Sequence, residues 1–220
     1  MIRVKICGIT NLADAKAASE AGANSLGLNF YEKSLRRVST ADAAQIRNKL
    51  PKEVEAVGVF VNAKPADIVS LQGFVRFDMA QLHGDETPAI VAEIAKCVPV
   101  IKALRVGPGF PLSVFDDFRG ATAFLLDAAR AGQYGGTGQT TDWVFAKRAT
   151  QGRNIILAGG LTPENVGAAI RAVRPYAVDV ASGVETKPGK KDHGKVREFI
   201  EEVRRAEKEL NEGGEKTKTA

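Results

Sequence analysis

Eight short runs rich in β-branched residues recur along this chain, and helix-forming stretches separate them. That rhythm restricts the possible folds more than any other feature. The runs are IRVKIC, NSLGLNF, EAVGVFV, MAQLH, VPVIKAL, TAFLLDA, NIILAGG and YAVDVAS. Most are apolar at consecutive as well as alternating positions, as expected of strands covered by helices outside and packed side chains inside. Strands alternating with helices predict parallel strands joined by crossovers. The helices carry readable punctuation. Asn11 caps the first, Thr40 opens the second, Pro65 begins the third, and others start at Thr87-Pro88, Asp142 and Thr162-Pro163. The fifth crossover, RVGPGFPLSVFDDFRG, has room for only a turn or two of helix.

Eight strand–helix units in about 200 residues is the count of a single closed (β/α)8 TIM barrel with parallel strands. The alternative, an open doubly wound sheet, would carry a Gly-rich fingerprint after its first strand. Here that turn reads CGITN, which is no G-x-G-x-x-G. We assign residues 1–209 to the barrel and residues 210–220 to a polar tail expected to be disordered.

Charge and cysteine usage narrow the function classes. The net charge is +5, but residues 1–186 carry 21 Lys/Arg against 18 Asp/Glu, and residues 187–220 carry 10 against 8. So diffuse an excess, with aromatics at 6%, lacks the basic stripe of a nucleic-acid reader and suits an anionic metabolite. No stretch approaches the roughly 18 apolar residues of a membrane span. Arg3 and Lys5 interrupt any signal-peptide core at the start, and Cys7 and Cys97 are too few for a disulfide framework. A cytoplasmic protein, monomer or homodimer, is expected.

In a barrel the strand C-termini form one mouth, where enzymes of this fold keep their sites. Reading the letters there gives Cys7, Asn29 and YEKSLRRVS, then QLHG, Lys102, LLDA, AGG and DVASG. Gly159-Gly160 after strand seven and Ser182-Gly183 after strand eight match the usual phosphate site, where backbone N–H groups and a helix N-terminus meet an oxyanion. Either turn alone could simply want glycine. Cys7 and Asp127 end strands one and six, facing one another across the mouth. Alone, a cysteine in an apolar strand is a packed thiol, and an aspartate ending a strand is a helix cap. Together they could serve as base and acid. His83 and Asp179 point toward the pocket, where they either contact a substrate or make structural hydrogen bonds. No metal site is indicated: His83 and His193 are the only histidines, without H-x-x-x-H or C-x-x-C spacing.

The ordered set VKICGIT, NFYEKSLRRVS, VGVFVN, QLHGDE, LLDA with YGGTGQTTDW, LAGGLTPENV and VDVASGVETKPGKKD resembles the phosphoribosylanthranilate isomerase family from Arg3 to about His193. The resemblance implies an Amadori rearrangement in tryptophan biosynthesis, converting N-(5-phosphoribosyl)anthranilate to 1-(2-carboxyphenylamino)-1-deoxyribulose 5-phosphate without a cofactor. By that resemblance Cys7 is the general base, Asp127 the general acid and Arg36 the group binding the anthranilate end. Glu32, Leu35 and Arg37 stand where family members commonly have two prolines and a tyrosine, which should loosen that loop in the unbound state.

The implied chemistry sets a condition on protonation. A free cysteine near pKa about 8.5 and a free aspartate near about 3.9 are each in the wrong form at neutral pH. The fold is therefore expected to raise Asp127, and either to lower Cys7 or to work with a small thiolate fraction. Two other readings remain at this point. A sugar-phosphate isomerase of a histidine-pathway aminoaldose would want a second phosphate site and an aspartate as the first-strand base. A non-catalytic sensor of a phosphorylated metabolite would have no need of Cys7 and Asp127 together.

Overall fold

β-Branched residues crowd an α-helix but pack well on a pleated surface, and each predicted run is found as a strand. In this computed structural model, which describes residues 1–107, 109–128 and 142–216, the strands are β1 (Arg3–Cys7), β2 (Ser25–Asn29), β3 (Glu55–Phe60), β4 (Met79–Leu82), β5 (Val100–Val106), β6 (Ala123–Ala128), β7 (Ile155–Leu157) and β8 (Ala177–Val180). All pair in parallel, in chain order, and β1 pairs with β8 to close the barrel. Residues 134–141 of the YGGTGQTTDW motif lie outside the described residues.

The helices are α1 (Leu12–Glu20), α2 (Thr40–Lys49), α3 (Pro65–Val75), α4 (Pro88–Ile94), α5 (Val114–Asp117), α6 (Trp143–Ala149), α7 (Pro163–Val173) and α8 (His193–Lys216). Their starts follow the sequence signals. Asn11 accepts from the Asp14 N–H, Asp142 from those of Val144 and Phe145, and Thr162 closes a capping box with Asn165. At α2 the cap is Ser39, one residue before Thr40. The fifth crossover holds a single turn, α5. Two features were not anticipated. An antiparallel hairpin of β9 (Glu185–Lys187) and β10 (Lys190–Lys191) follows β8, and α8 runs on to Lys216. Residues 210–216, expected as an unstructured tail, are instead helical and continue α8 across Gly213 and Gly214. Residues 217–220 lie outside the described residues.

Two hydrophobic layers follow from the period-2 alternation of strand side chains. Val4, Ile6, Leu26, Leu28, Leu126 and Val178 face outward into the layer under the helices, where Val196, Phe199, Ile200 and Val203 of α8 also pack. Val57, Ile101, Ala103, Ala123, Leu125, Ile156 and Ala177 fill the barrel interior. The same parity decides what reaches the mouth. Asp127 follows inward Leu125 by two, Asp179 follows inward Ala177 by two, and Lys5 and Cys7 alternate with outward Val4 and Ile6.

Candidate active site

Above the apolar interior lies a cavity of about 600 Å³, lined among others by Cys7, Arg36, His83, Asp127, Gly159 and Asp179. Its wall next to β1 is dense in charge. Lys5 is almost wholly buried and donates to Asp179 Oδ1 at 2.8 Å, its register partner on β8. The same ammonium faces the Cys7 sulfur two residues on. Burial pushes the Cys7 thiol above its ordinary range; the Lys5 ammonium opposes that shift and the Asp179 carboxylate adds to it. For Lys5, burial works against the charge, but the Asp179 and Cys7 partners outweigh it and hold the ammonium above its usual pKa.

Glycine makes room for the thiol and for its neighbour. A Cβ at Gly27, which pairs with Cys7 across β1 and β2, would lie 2.6 Å from the sulfur. Gly8 has a left-handed φ of 78°, and a Cβ there would lie 2.6 Å from Cδ of Arg36. Arg36 sits in the loop after β2, which Ser34 Oγ ties together by accepting from the Arg36 N–H and the Asn29 amide, each at 3.1 Å. Its guanidinium forks onto Glu185 of β9, at 2.9 Å from Nε and 2.7 Å from Nη2. Lys191 of β10, fully enclosed, donates to the same carboxylate at 2.9 Å and to the Ala181 carbonyl at 3.1 Å. Burial raises the Glu185 pKa, but Arg36 and Lys191 outweigh it and hold the carboxyl below its usual range.

The opposite wall is built differently. Asp127 is buried at the end of β6, and its Oδ2 lies 3.4 Å from His83 Nε2. The Gln81 amide nitrogen lies 2.8 Å from His83 Nδ1. With that amide donating, Nδ1 accepts and the ring proton sits on Nε2, aimed at Asp127. Gly159 and Gly160 both have left-handed φ, 85° and 62°, and line the same cavity as Ser182. Such a turn presents backbone N–H groups to an anion.

A profile of the N-(5'phosphoribosyl)anthranilate (PRA) isomerase family matches residues 4–202. This chain belongs to that family. It is 50% identical over 207 residues to the N-(5'-phosphoribosyl)anthranilate isomerase of Trichlorobacter lovleyi, covering 94% of this chain and 100% of the relative. Against the crystal structure of phosphoribosyl anthranilate isomerase from Thermotoga maritima the TM-score is 0.86 at 43% identity, covering 93% of this chain and 99% of the other. A further structure of this isomerase, in complex with reduced 1-(o-carboxyphenylamino)-1-deoxyribulose 5-phosphate, gives 0.84 at 42% identity with the same coverage.

Within this PRA isomerase chain the cavity gathers Cys7, Arg36, His83, Asp127, Gly159, Gly160, Asp179 and Ser182, all expected at the mouth from sequence. Gly183 is not among its lining residues: a Cβ there would lie 2.0 Å from the Leu161 carbonyl oxygen, so this glycine serves a close backbone approach. Lys102 also leaves the mouth. It shares the outward parity of Val100 and Leu104, and its ammonium holds the loop after β4 through Glu86 at 2.7 Å and the Gly84 carbonyl at 2.8 Å. Of the two routes open to Cys7, a lowered thiol is not the one found, because burial dominates. Sequence reasoning missed Lys5, Gln81, Glu185 and Lys191 as site residues. Lys5 was visible as a charge interrupting an apolar strand, and Glu185 and Lys191 stood inside a quoted motif. Their signal was a charge at a buried position, legible only once strand parity is known.

Proposed function

We propose that this chain catalyses the Amadori rearrangement of N-(5-phosphoribosyl)anthranilate to 1-(2-carboxyphenylamino)-1-deoxyribulose 5-phosphate in tryptophan biosynthesis, as an aldose–ketose isomerase in the cytoplasm. One observation carries the reading: a thiol and a carboxyl from β1 and β6, a guanidinium and a two-glycine turn all line one cavity. The substrate has a carboxylate at one end and a phosphate at the other. Its reacting carbons lie between.

Asp127 in its acid form protonates the ribose ring oxygen as the C1–O bond breaks, leaving an iminium. Cys7 as thiolate then takes the C2 proton, giving an enolamine. Protonation at C1 and loss of the O2 proton yield the ketone. Each positioned acid or base typically contributes about 10²–10⁴ in rate. Arg36, clamped by Glu185, presents its remaining N–H edge to the anthranilate carboxylate, a planar pairing suited to guanidinium. Gly159, Gly160 and Ser182 take the phosphate, and His83 and Asp179 contact ribose hydroxyls. One chain supplies every one of these groups, so the reading holds for a monomer or a homodimer.

The test is turnover of freshly generated N-(5-phosphoribosyl)anthranilate by purified protein without added metal or cofactor, followed by anthranilate fluorescence, with Cys7→Ser alongside. Rapid turnover abolished in the variant is the expected result. Binding without turnover would overturn the isomerase reading and favour a metabolite sensor.

A further inference from the structure

Lys5 is a buried ammonium that the scheme above leaves without a task. Its register on β1 brings it level with Asp179 and one inward position below Cys7. Two acceptors thus compete for one cation. The charges acting on the sulfur are Lys5 from its own strand, Asp179 from β8 and Lys191 from the hairpin, and Lys191 shares its partner Glu185 with Arg36 from the loop after β2. Asp127 and His83 stand across the cavity, and β2 offers only Gly27. The near groups comprise three cations and two carboxylates. A thiolate at Cys7 makes the cluster neutral, whereas a neutral thiol leaves it one positive charge in excess.

We propose that Lys5 is a positioning residue for the rearrangement: its ammonium is shared between Asp179 and the Cys7 sulfur, and this sharing sets how readily Cys7 yields its proton. When Cys7 is a thiol, Lys5 leans on Asp179. When Cys7 is a thiolate, Lys5 holds both anions, and an ammonium with three N–H donors can serve two acceptors at once. Once the thiolate has taken the C2 proton, the ammonium returns to Asp179 alone.

The proposal rests on Cys7 being the base, yet it is tested in the free enzyme without turnover. In a Cys97→Ser background, the rate of Cys7 alkylation by iodoacetamide is followed against pH by mass spectrometry. Lys5→Met removes the cation and is expected to slow alkylation at neutral pH about tenfold or more, the midpoint moving to higher pH. Asp179→Asn removes the competing anion and is expected to move the midpoint the other way. Opposite shifts are the signature, because damage to folding would move both variants alike. If Lys5→Met does not fold, Asp179→Asn and the double variant Lys5→Met/Asp179→Leu carry the test: the double variant should lie at higher pH than Asp179→Asn. Unmoved midpoints, or shifts in one direction, overturn the proposal. Turnover separates it from the underlying reading. Opposite alkylation shifts with an active Cys7→Ser would keep the Lys5 coupling and remove the base assignment. An inactive Cys7→Ser with unmoved midpoints would do the reverse.

Discussion

The two walls of the cavity solve the same problem by different physics. The Cys7 wall holds three cations and two carboxylates in two hydrogen-bonded groups, Lys5 with Asp179 from β1 and β8, and Arg36 and Lys191 with Glu185 from the loop after β2 and the β9–β10 hairpin. On the Asp127 wall, Gln81 fixes the His83 ring and His83 faces the carboxyl. A base that must become an anion needs compensating charge nearby. An acid that must keep its proton is better served by neutral neighbours. In the proposed mechanism the first wall faces the base and the opposite wall faces the acid.

The comparison breaks most severely if either reacting group can be spared. Cys7→Ser and Asp127→Asn are each expected to lower kcat by at least about a hundredfold with KM little changed, since neither group binds the substrate ends. Steady-state kinetics on both variants checks this. A variant near wild-type rate removes its wall from the mechanism.

Next in size is a change that keeps every charge and moves the thiol. Gly27→Ala places a Cβ 2.6 Å from the Cys7 sulfur and 3.0 Å from the Cys7 Cα. The sulfur must shift, and misplacement by about 1 Å can cost about a hundredfold in rate. We expect kcat to fall between about tenfold and a hundredfold, with the stability also lowered by about 1–3 kcal/mol, as overpacking against backbone costs. The corresponding loss should not follow from Gln81→Leu, which disturbs the His83 ring orientation on the opposite wall and is expected to cost kcat a few-fold.

A smaller effect is expected where the charged wall meets the substrate. Glu185→Gln keeps a side-chain oxygen for Arg36 and for Lys191 but removes the charge that holds the fork. KM is expected to rise about tenfold with kcat changed less than about threefold, the pattern of lost ground-state binding. Equal falls in kcat and kcat/KM would instead place Glu185 in the chemical step.

How far these walls could be read from letters follows from strand parity. Cys7, Asp127 and Asp179 are polar residues ending apolar strands, so the barrel itself assigns them to the mouth. Lys102 has the same look and faces the other way, because one residue of parity separates Ile101 from it. The hairpin carrying Glu185 and Lys191 escaped notice because its strands are three and two residues long and polar, without the apolar alternation that marks a strand. Arg36 lines the cavity, and its partner Glu185 is 149 residues away, a distance over which sequence spacing says nothing.

The smallest effect concerns what supports the charged wall from below. Asp14 of α1 is buried and accepts from the backbone N–H of Lys191 at 2.9 Å, while its other oxygen meets His193 Nε2 at 2.8 Å. Burial alone would raise its pKa, but these bonds and the Asn11 amide outweigh it and hold the carboxyl below the usual aspartate range. A carboxyl whose folded pKa is depressed stabilises the fold fully above its unfolded value, near about 3.9, and the contribution is lost as pH falls through the lower folded value. Asp14→Asn should therefore lower unfolding free energy by about 1–3 kcal/mol at pH 7, and the gap to wild type should close on acidification below about pH 4. Urea unfolding across that range measures it. A gap that persists unchanged into acid would mean that the hairpin is held by the shape of this site, and that charge matters only at the wall above it.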